Sequence, residues 1–334
     1  MNSPVAIPSK TAGTAVILAA LVLGFSSHAF AQAKPATKLT MRLDWKPGGQ
    51  YSPFYYGKEK GYYTAEGLDL TIVPGSGSSD SVKQVGSRAV DIALLDAMVL
   101  VQAAEQRVPV KAVGAYYQRT PITLISPKSK PITEVKQLLG DVKIGAPKGS
   151  AVVQGLSAML FANNIRMEQI KMVDIGFGVQ PLLVKQVDAI MAYTNVQPIQ
   201  AEGAGMPVNE LFVADFGVNA YGTIIAANDE FIARQPAAIA GFLRATRKAV
   251  QEIATDRKGA AQSVANAVTE IDVAHELKVL DRTLPLWAVK PGDWSGFGSQ
   301  TEQRWQQTIE TARRVALVEK VPAAKDVFNG SFIK

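Results

Sequence analysis

Side chains able to make and break covalent bonds are scarce in this chain. Its 334 residues include no cysteine and two histidines, His28 and His275. A thiol nucleophile, a disulfide, a His-based metal site and a Ser-His-Asp triad all lack their ingredients, so no catalytic residue, metal ligand set or cofactor is expected. The phosphate loop G-x-x-x-x-G-K-[ST] does not occur, and Pro74-Gly75-Ser76-Gly77-Ser78-Ser79-Asp80 lacks the dinucleotide spacing G-x-G-x-x-G. What the chain offers instead is recognition chemistry, in polar and aromatic clusters that each follow a short apolar run. Trp45 and Tyr51 share the stretch Asp44-Trp45-Lys46-Pro47-Gly48-Gly49-Gln50-Tyr51, where Trp45 either offers a stacking face or plugs an edge. Ser78 and Ser79 precede a helical stretch, where they hold a polar or anionic group or simply cap the helix. Asp96 stands at a similar corner, capping a helix or reaching into a cleft. Gln118 and Arg119 fall in a polar break, and Ser150 follows Lys148-Gly149 at another helix start, again as a plain cap or an anion contact. Tyr193, Asn195 and Gln197 crowd one turn ahead of Pro198.

The elements that must position these residues are legible in the apolar patterning. Alternating Leu39, Met41 and Leu43 predict a strand that delivers Trp45 at its carboxyl end, followed by a helix over 53–60. Strand 68–73, helix 81–87, strand 90–94, a helix to 106 and strand 108–116 continue the alternation, which implies a mostly parallel sheet. In such sheets ligands bind at the carboxyl ends of strands, where the polar clusters fall. Residues 117–121 break the pattern and mark a first crossover. A second series then repeats the design: strand 122–126, helix 132–139, strand 143–146, a helix to 162, strand 171–175, helix 179–186 and strand 189–192. The polar, glycine-rich segment 215–222 is the return crossover into strand 223–227. Helices over 229–234, 236–255, 259–268, 273–284 and 301–317 follow, with a turn at Pro291-Gly292-Asp293-Trp294, and they brace the back of the first lobe. Trp287, Trp294 and Trp305 are expected to pack there rather than touch a ligand. The expectation is an α/β, two-lobed clamshell with two crossovers: lobe one from 32–118, lobe two from 119–222, and completion of lobe one with the last helices from 223–334.

Lys10, an apolar run over 12–25 and the Ala29-Phe30-Ala31 site read as a cleaved leader over 1–31, so the mature chain is expected to start near Gln32. The apolar run is shorter than the roughly 20 residues a membrane helix needs. Without cysteine there is no lipid anchor, and a bacterial periplasm fits best. About 300 remaining residues suffice for two lobes that each bury a core. The formal charge of +6 is scattered among acidic residues rather than drawn into a stripe, which speaks against nucleic acid as a partner. A monomer that captures a small molecule by hinge closure is the expected design.

Asp44-Trp45-Lys46-Pro47, Lys60-Gly61-Tyr62-Tyr63, Glu66-Gly67-Leu68-Asp69, Val90-Asp91-Ile92, Lys143-Ile144-Gly145 and Asn228-Asp229-Glu230-Phe231, in that order, resemble the thiamine-pyrimidine-precursor family over roughly residues 39–255. That family comprises periplasmic binding components of ABC importers and a fungal hydroxymethylpyrimidine phosphate synthase, and it is related to nitrate, sulfonate and taurine binding proteins. The resemblance implies a type II-like periplasmic-binding-protein clamshell whose partners are a small-molecule ligand and an ABC permease. It implies Trp45 and Tyr51 as pocket residues, with Tyr193, Asn195 and Gln197 facing them and Tyr221 near the return hinge. The synthase would place a His at Tyr51, the cofactor lysine at Asp96, a second His at Leu100 and cysteines within 217–221, and this chain has none of these. Pyrimidine binders in the family carry a carboxylate in the turn occupied here by Thr194, Asn195 and Gln197, and Asp96 could supply that charge from the other lobe. A small heterocycle or related organic solute is therefore expected. The alternative is a sulfonate, nitrate or aromatic acid held by Arg119, Lys148, Ser150 and the helix start at Ser79, and a more remote one is an exported synthase-like enzyme.

Overall fold

Among the residues described by the computed structural model, 1–6, 8, 35–290 and 292–333, ten strands form two five-stranded sheets. The expected leader features over 10–31, with His28, lie outside the described residues, as does Pro291 of the expected turn. From Pro35 onward the chain is one compact unit. The first sheet takes β1 (Thr37–Arg42), β2 (Leu68–Val73), β3 (Ile92–Asp96) and β4 (Val110–Ala115). The second takes β5 (Ile122–Pro127), β6 (Lys143–Ala146), β7 (Lys171–Asp174), β8 (Ala189–Tyr193) and β9 (Val208–Phe212), and β10 (Thr223–Asn228) returns to the first. The orders are β2-β1-β3-β10-β4 and β7-β6-β8-β5-β9. Each sheet with its helices is one lobe of the α/β clamshell.

Four strands of each sheet run the same way, in keeping with the mostly parallel expectation, and one strand in each runs against them, which makes both sheets mixed. β10 runs antiparallel to β3 and β4, and β5 runs antiparallel to β8 and β9. The register supplies the reason. β10 begins opposite the last residue of β3, Thr223 against Asp96, and β5 begins opposite the last residue of β8, Ile122 against Tyr193. Each crossover therefore enters its new sheet from the carboxyl end of that sheet's other strands, and it can only run back the opposite way. Both crossovers consequently line the cleft side.

Residues 92–95 of β3 are wholly buried, as a strand with cores on both faces requires. Ile92 and Leu94 pack with Phe54, Phe242 and Trp287, while Ala93 and Leu95 pack with Leu100 and Trp305. The second lobe divides in the same way, with Leu124 facing one core and Ile125 the other. Trp287 and Trp305 are fully buried, and Trp294 is partly buried with its indole N–H donating to the Leu284 carbonyl at 3.0 Å.

Three local differences from the sequence reading matter for the site. The helix after β2 is Ser78–Gly86, with Gly77 at φ 116° as the residue before it, so it starts at Ser78 instead of 81. A helix at Gln197–Gly203 and strand β9 were not anticipated. Pro198 reads as a stop, yet it lies in the helix's first turn, where its missing N–H leaves nothing unpaired. Finally, the last helices do not serve the first lobe alone. Helix Glu302–Arg314 packs on both Ala97–Glu105 and Ala151–Ala162, and Val315 joins cores of both lobes. No helix of the described residues is long and apolar enough to cross a membrane.

Candidate functional site

β1 and β3 are parallel neighbours, and a carboxylate stands at the carboxyl end of each: Asp44 just after β1 and Asp96 as the last residue of β3. Asp44 sits in a loop pinned by the next crossing segment. Its carbonyl accepts from Gly77 N at 2.8 Å, and the Trp45 carbonyl accepts from Gly75 N at 3.0 Å. A Cβ on Gly75 would stand 1.9 Å from the Leu43 carbonyl oxygen, so only glycine allows this approach. The Asp44 carboxylate accepts from the buried Tyr51 hydroxyl at 2.7 Å. Asp96 caps helix Ala97–Glu105, its Oδ1 accepting from Met98 N at 2.8 Å, and its own amide donates to Ser78 Oγ at 2.9 Å.

Burial pushes Asp44 above the ordinary carboxylate value, against the lowering effect of the Tyr51 hydrogen bond. Burial likewise pushes Asp96 up to about 6, with the Asp44 charge adding to the rise. Among the described residues neither carboxylate forms an ion pair, since the nearby Arg42 is engaged by Asp80. Tyr193 of the second lobe responds to both: burial raises its phenol first, and then the charges of Asp96 and Asp44. Tyr117 is raised by burial and by Asp44, while contacts with Asn195 and Thr283 oppose the rise. Burial is the first cause of each shift, and the Asp44 charge contributes to those of Asp96, Tyr51 and Tyr117 and, in the second lobe, to that of Tyr193; with Asp44 these residues form the polar neighbourhood of the candidate site.

Aromatic faces border this neighbourhood. Trp45 is 50% exposed, so it does not fill a core, and Phe177 is 56% exposed. Phe177 stacks on Tyr193 with ring centroids 6.5 Å apart and planes 22° apart. A cavity of about 20 Å³, roughly one water, lies where Asp96 and Tyr221 meet Thr120, Ala151 and Gln154, so Asp96 faces the start of helix Ala151–Ala162 across the cleft.

Other expected residues are engaged elsewhere. Ser78 and Ser79 are the first residues of their helix rather than its cap, because Gly77 takes the cap position without a side-chain bond; Ser78 holds the Asp96 amide and Ser79 is exposed. Ser150 precedes its helix without capping it, and its hydroxyl donates to the Pro147 carbonyl at 2.6 Å. Gln197 is buried and accepts from Tyr193 N at 2.8 Å, and buried Asn195 donates to Thr283 Oγ1 at 3.0 Å. Gln118 is buried in the crossover, where its amide donates to the Ser299 carbonyl. Arg119 pairs with Asp215, beside a cleft of about 280 Å³ that also touches Thr194, Glu210 and Arg282. Tyr221 is buried under helix Glu302–Arg314, with its hydroxyl accepting from Thr301 N at 2.9 Å and the Arg304 guanidinium 4.9 Å from its ring. His275 is exposed on its helix.

Three residues of this neighbourhood escaped the sequence reading: Asp44, Tyr117 and Phe177. Asp44 had a usable signal, since it directly follows a predicted strand. Phe177 had a weaker one, an aromatic between Gly176 and Gly178 just after a strand.

A model of the family described as NMT1/THI5 like matches residues 49–260. The riboflavin-binding protein RibY of Chloroflexus aurantiacus is 26% identical over 305 residues, covering 89% of this chain and 86% of that protein. A formylaminopyrimidine-binding protein of Halalkalibacterium halodurans is 23% identical, covering 86% and 88% respectively. A 4-amino-5-hydroxymethyl-2-methylpyrimidine phosphate synthase of Legionella pneumophila is 24% identical, covering 80% and 86%. Among solved structures, the periplasmic aliphatic sulphonate binding protein SsuA of Escherichia coli superposes with a TM-score of 0.69 at 15% identity, covering 90% of this chain and 94% of SsuA. That identity speaks to the fold alone.

Proposed function

The chain belongs to the NMT1/THI5-like family, and on that premise we propose that it is the solute-binding component of an ABC importer, holding a small aromatic heterocycle between its lobes. The observation that carries this reading is that each lobe exposes an aromatic face beside a polar strand end, Trp45 next to Asp44 on the first lobe and Phe177 stacked on Tyr193 on the second. Similarity over most of the chain to a riboflavin binder and a formylaminopyrimidine binder supports a flat, nitrogen-rich solute. The predicted leader supports export to the periplasm, where a permease would be the partner of a monomeric binding protein.

A synthase role is set aside because the chain has Asp96 where the family resemblance places the cofactor lysine, and no cysteine at all. Adding pyridoxal phosphate should therefore give no Schiff-base absorbance band.

Micromolar binding requires about 8 kcal/mol. Each aromatic stack adds roughly 0.5–1.5 kcal/mol beyond buried area. Two faces and several hydrogen bonds must act together. In a thermal-shift series with riboflavin and formylaminopyrimidine, a solute at 100 times its Kd should stabilise the protein by about 2.7 kcal/mol. Trp45→Ala and Phe177→Ala should each remove most of that shift while leaving the unliganded melting curve nearly in place. An undiminished shift in both variants would rule out the platform.

A further inference from the structure

We infer that Glu276 is a positioning residue of the solute site, holding the segment from Trp45 to Tyr51 in place without itself touching the solute. This inference rests on the solute-binding reading and adds a residue to it. The segment is a bow fixed at both ends. At one end the Asp44 and Trp45 carbonyls accept from Gly77 N and Gly75 N. At the other, Glu276 Oε2 accepts from Gly49 N at 2.5 Å, across 227 residues of sequence. The backbone beyond is tied down as well. Ser52 Oγ donates to the Gly49 carbonyl at 2.7 Å, Tyr51 N donates to the Gly48 carbonyl at 2.9 Å, and the Tyr116 hydroxyl donates to the Gln50 carbonyl at 2.5 Å. Lys46, Pro47 and Gly48 are all that separates the two ends, and Trp45 and Lys46 are exposed. The Gly49 anchor therefore bears on both first-lobe residues of the site, the Trp45 face and the Tyr51 phenol that holds Asp44.

The chain is shaped for this contact. A Cβ on Gly49 would stand 2.2 Å from the Glu276 carbonyl oxygen and 3.2 Å from Leu280 N, so the segment can lie on helix Val273–Trp287 only through glycine. Glu276 falls in the first turn of that helix, where a carboxylate also suits the macrodipole. Asp272 already caps the same end, accepting from Ala274 N at 2.9 Å, and a helix-start role requires no reach to a distant backbone amide. Thr283 lies about two turns, or about 10 Å, further along the helix and on nearly the same face. There it receives Asn195 of the second lobe at 3.0 Å. One helix face thus holds the Trp45 segment near its start and the turn that begins at Tyr193 near its end. Loosening the Glu276 end moves the first aromatic face relative to the second.

Hydrogen exchange read by mass spectrometry on the full unliganded protein tests the hold, and calorimetry tests its effect on the site. The titrants are riboflavin, formylaminopyrimidine and any solute that native mass spectrometry finds retained by the purified protein. Glu276→Ala should speed exchange over residues 46–51 by roughly tenfold, while residues 92–96 of the buried β3 keep wild-type rates. The same variant should weaken solute binding by roughly fivefold or more. Glu276→Gln loses the charge that suits a helix start but keeps an acceptor oxygen, so it should restore both readings. Gly49→Ala pushes the same backbone off the helix and should reproduce the local rise in exchange. Wild-type exchange over 46–51 in Glu276→Ala or Gly49→Ala, a rise in Glu276→Ala that extends equally to 92–96, no recovery in Glu276→Gln, or solute affinity unchanged in Glu276→Ala overturns the inference and leaves solute binding standing. Absence of any retained solute together with no heat from either named titrant in the wild type overturns the solute-binding reading, and the inference falls with it whatever the exchange rates.

Discussion

Asp96 carries a cost that the folded protein reveals through pH. Its carboxyl is raised from 3.8 to about 6, chiefly by burial. A group whose folded-state value lies above its unfolded value binds protons more tightly when folded, so its stabilising contribution is fully present below 3.8 and is lost as pH rises through about 6. Asp96→Asn cannot ionise and keeps the oxygen that accepts from Met98 N. The variant should therefore melt above the wild type at pH 7.5, by an amount on the order of 1–3 kcal/mol, and the gap should narrow by pH 4.5. Melting curves at the two pH values check this, and a wild type that is the more stable at pH 7.5 would refute it. The corner position of Asp96 was readable because a short acceptor between an apolar strand and an apolar helix has few other places to be. The outcome for Ser78 and Ser79 was not, because Gly77 at φ 116° lets the helix begin without a side-chain cap. Asn195 and Gln197 were readable as a cluster but not as inward-facing, since the Asn195 partner, Thr283, lies far away in sequence on a different helix.

At the scale of elements, the two crossovers meet at Gly222. Its carbonyl accepts from Ala97 N at 2.9 Å, and a Cβ there would stand 2.9 Å from the Arg119 carbonyl oxygen and 3.1 Å from Thr120 Cα. Both neighbours are backbone, so neither can swing aside. Gly222→Ala should push the crossovers apart at a cost of about 1–3 kcal/mol, measured as a lower urea midpoint with an unchanged slope. A midpoint equal to the wild type would show that the crossing has slack. The crossovers were legible because polar clusters interrupt long apolar runs at 117–121 and 215–222. Their directionality was not, because parallel and antiparallel strands share the same alternation, and only the end at which a crossover delivers the chain decides between them. β9 escaped for a related reason: the helix before it opens with a proline, and its own buried positions, Val208 and Leu211, do not alternate.

For the whole molecule, the question is what holds the lobes together around the cleft. Helix Val273–Trp287 is rooted in the first-lobe core through Leu280, Leu284 and Trp287, yet its Arg282 reaches second-lobe groups. The guanidinium pairs with Glu210 and with Glu202 at 2.9 Å, and Glu210 also accepts from Thr194 Oγ1 at 2.7 Å. Next to it, Thr283 receives Asn195 at 3.0 Å. These contacts grip the turn that begins at Tyr193, so the interlobe latch and the second-lobe aromatic face share one backbone segment. Arg282 and Glu210 are each partly buried, which makes their pair stronger than a surface one, about 1–3 kcal/mol including its hydrogen bonds. Removing it with Arg282→Met should shift the unliganded protein toward lobe opening by roughly tenfold, since 1.4 kcal/mol is a factor of ten. A solute that contacts both lobes must then supply the lost closure free energy, so its affinity falls by a similar factor. Small-angle scattering should show a larger radius of gyration for unliganded Arg282→Met than for the wild type, returning to the wild-type value at saturating solute. A variant with unchanged scattering but weakened binding would mean that Arg282 positions the Tyr193 turn without holding the lobes. A variant unchanged in both would show that the Asn195 contact and helix Glu302–Arg314, which packs on both lobes, suffice to keep them together.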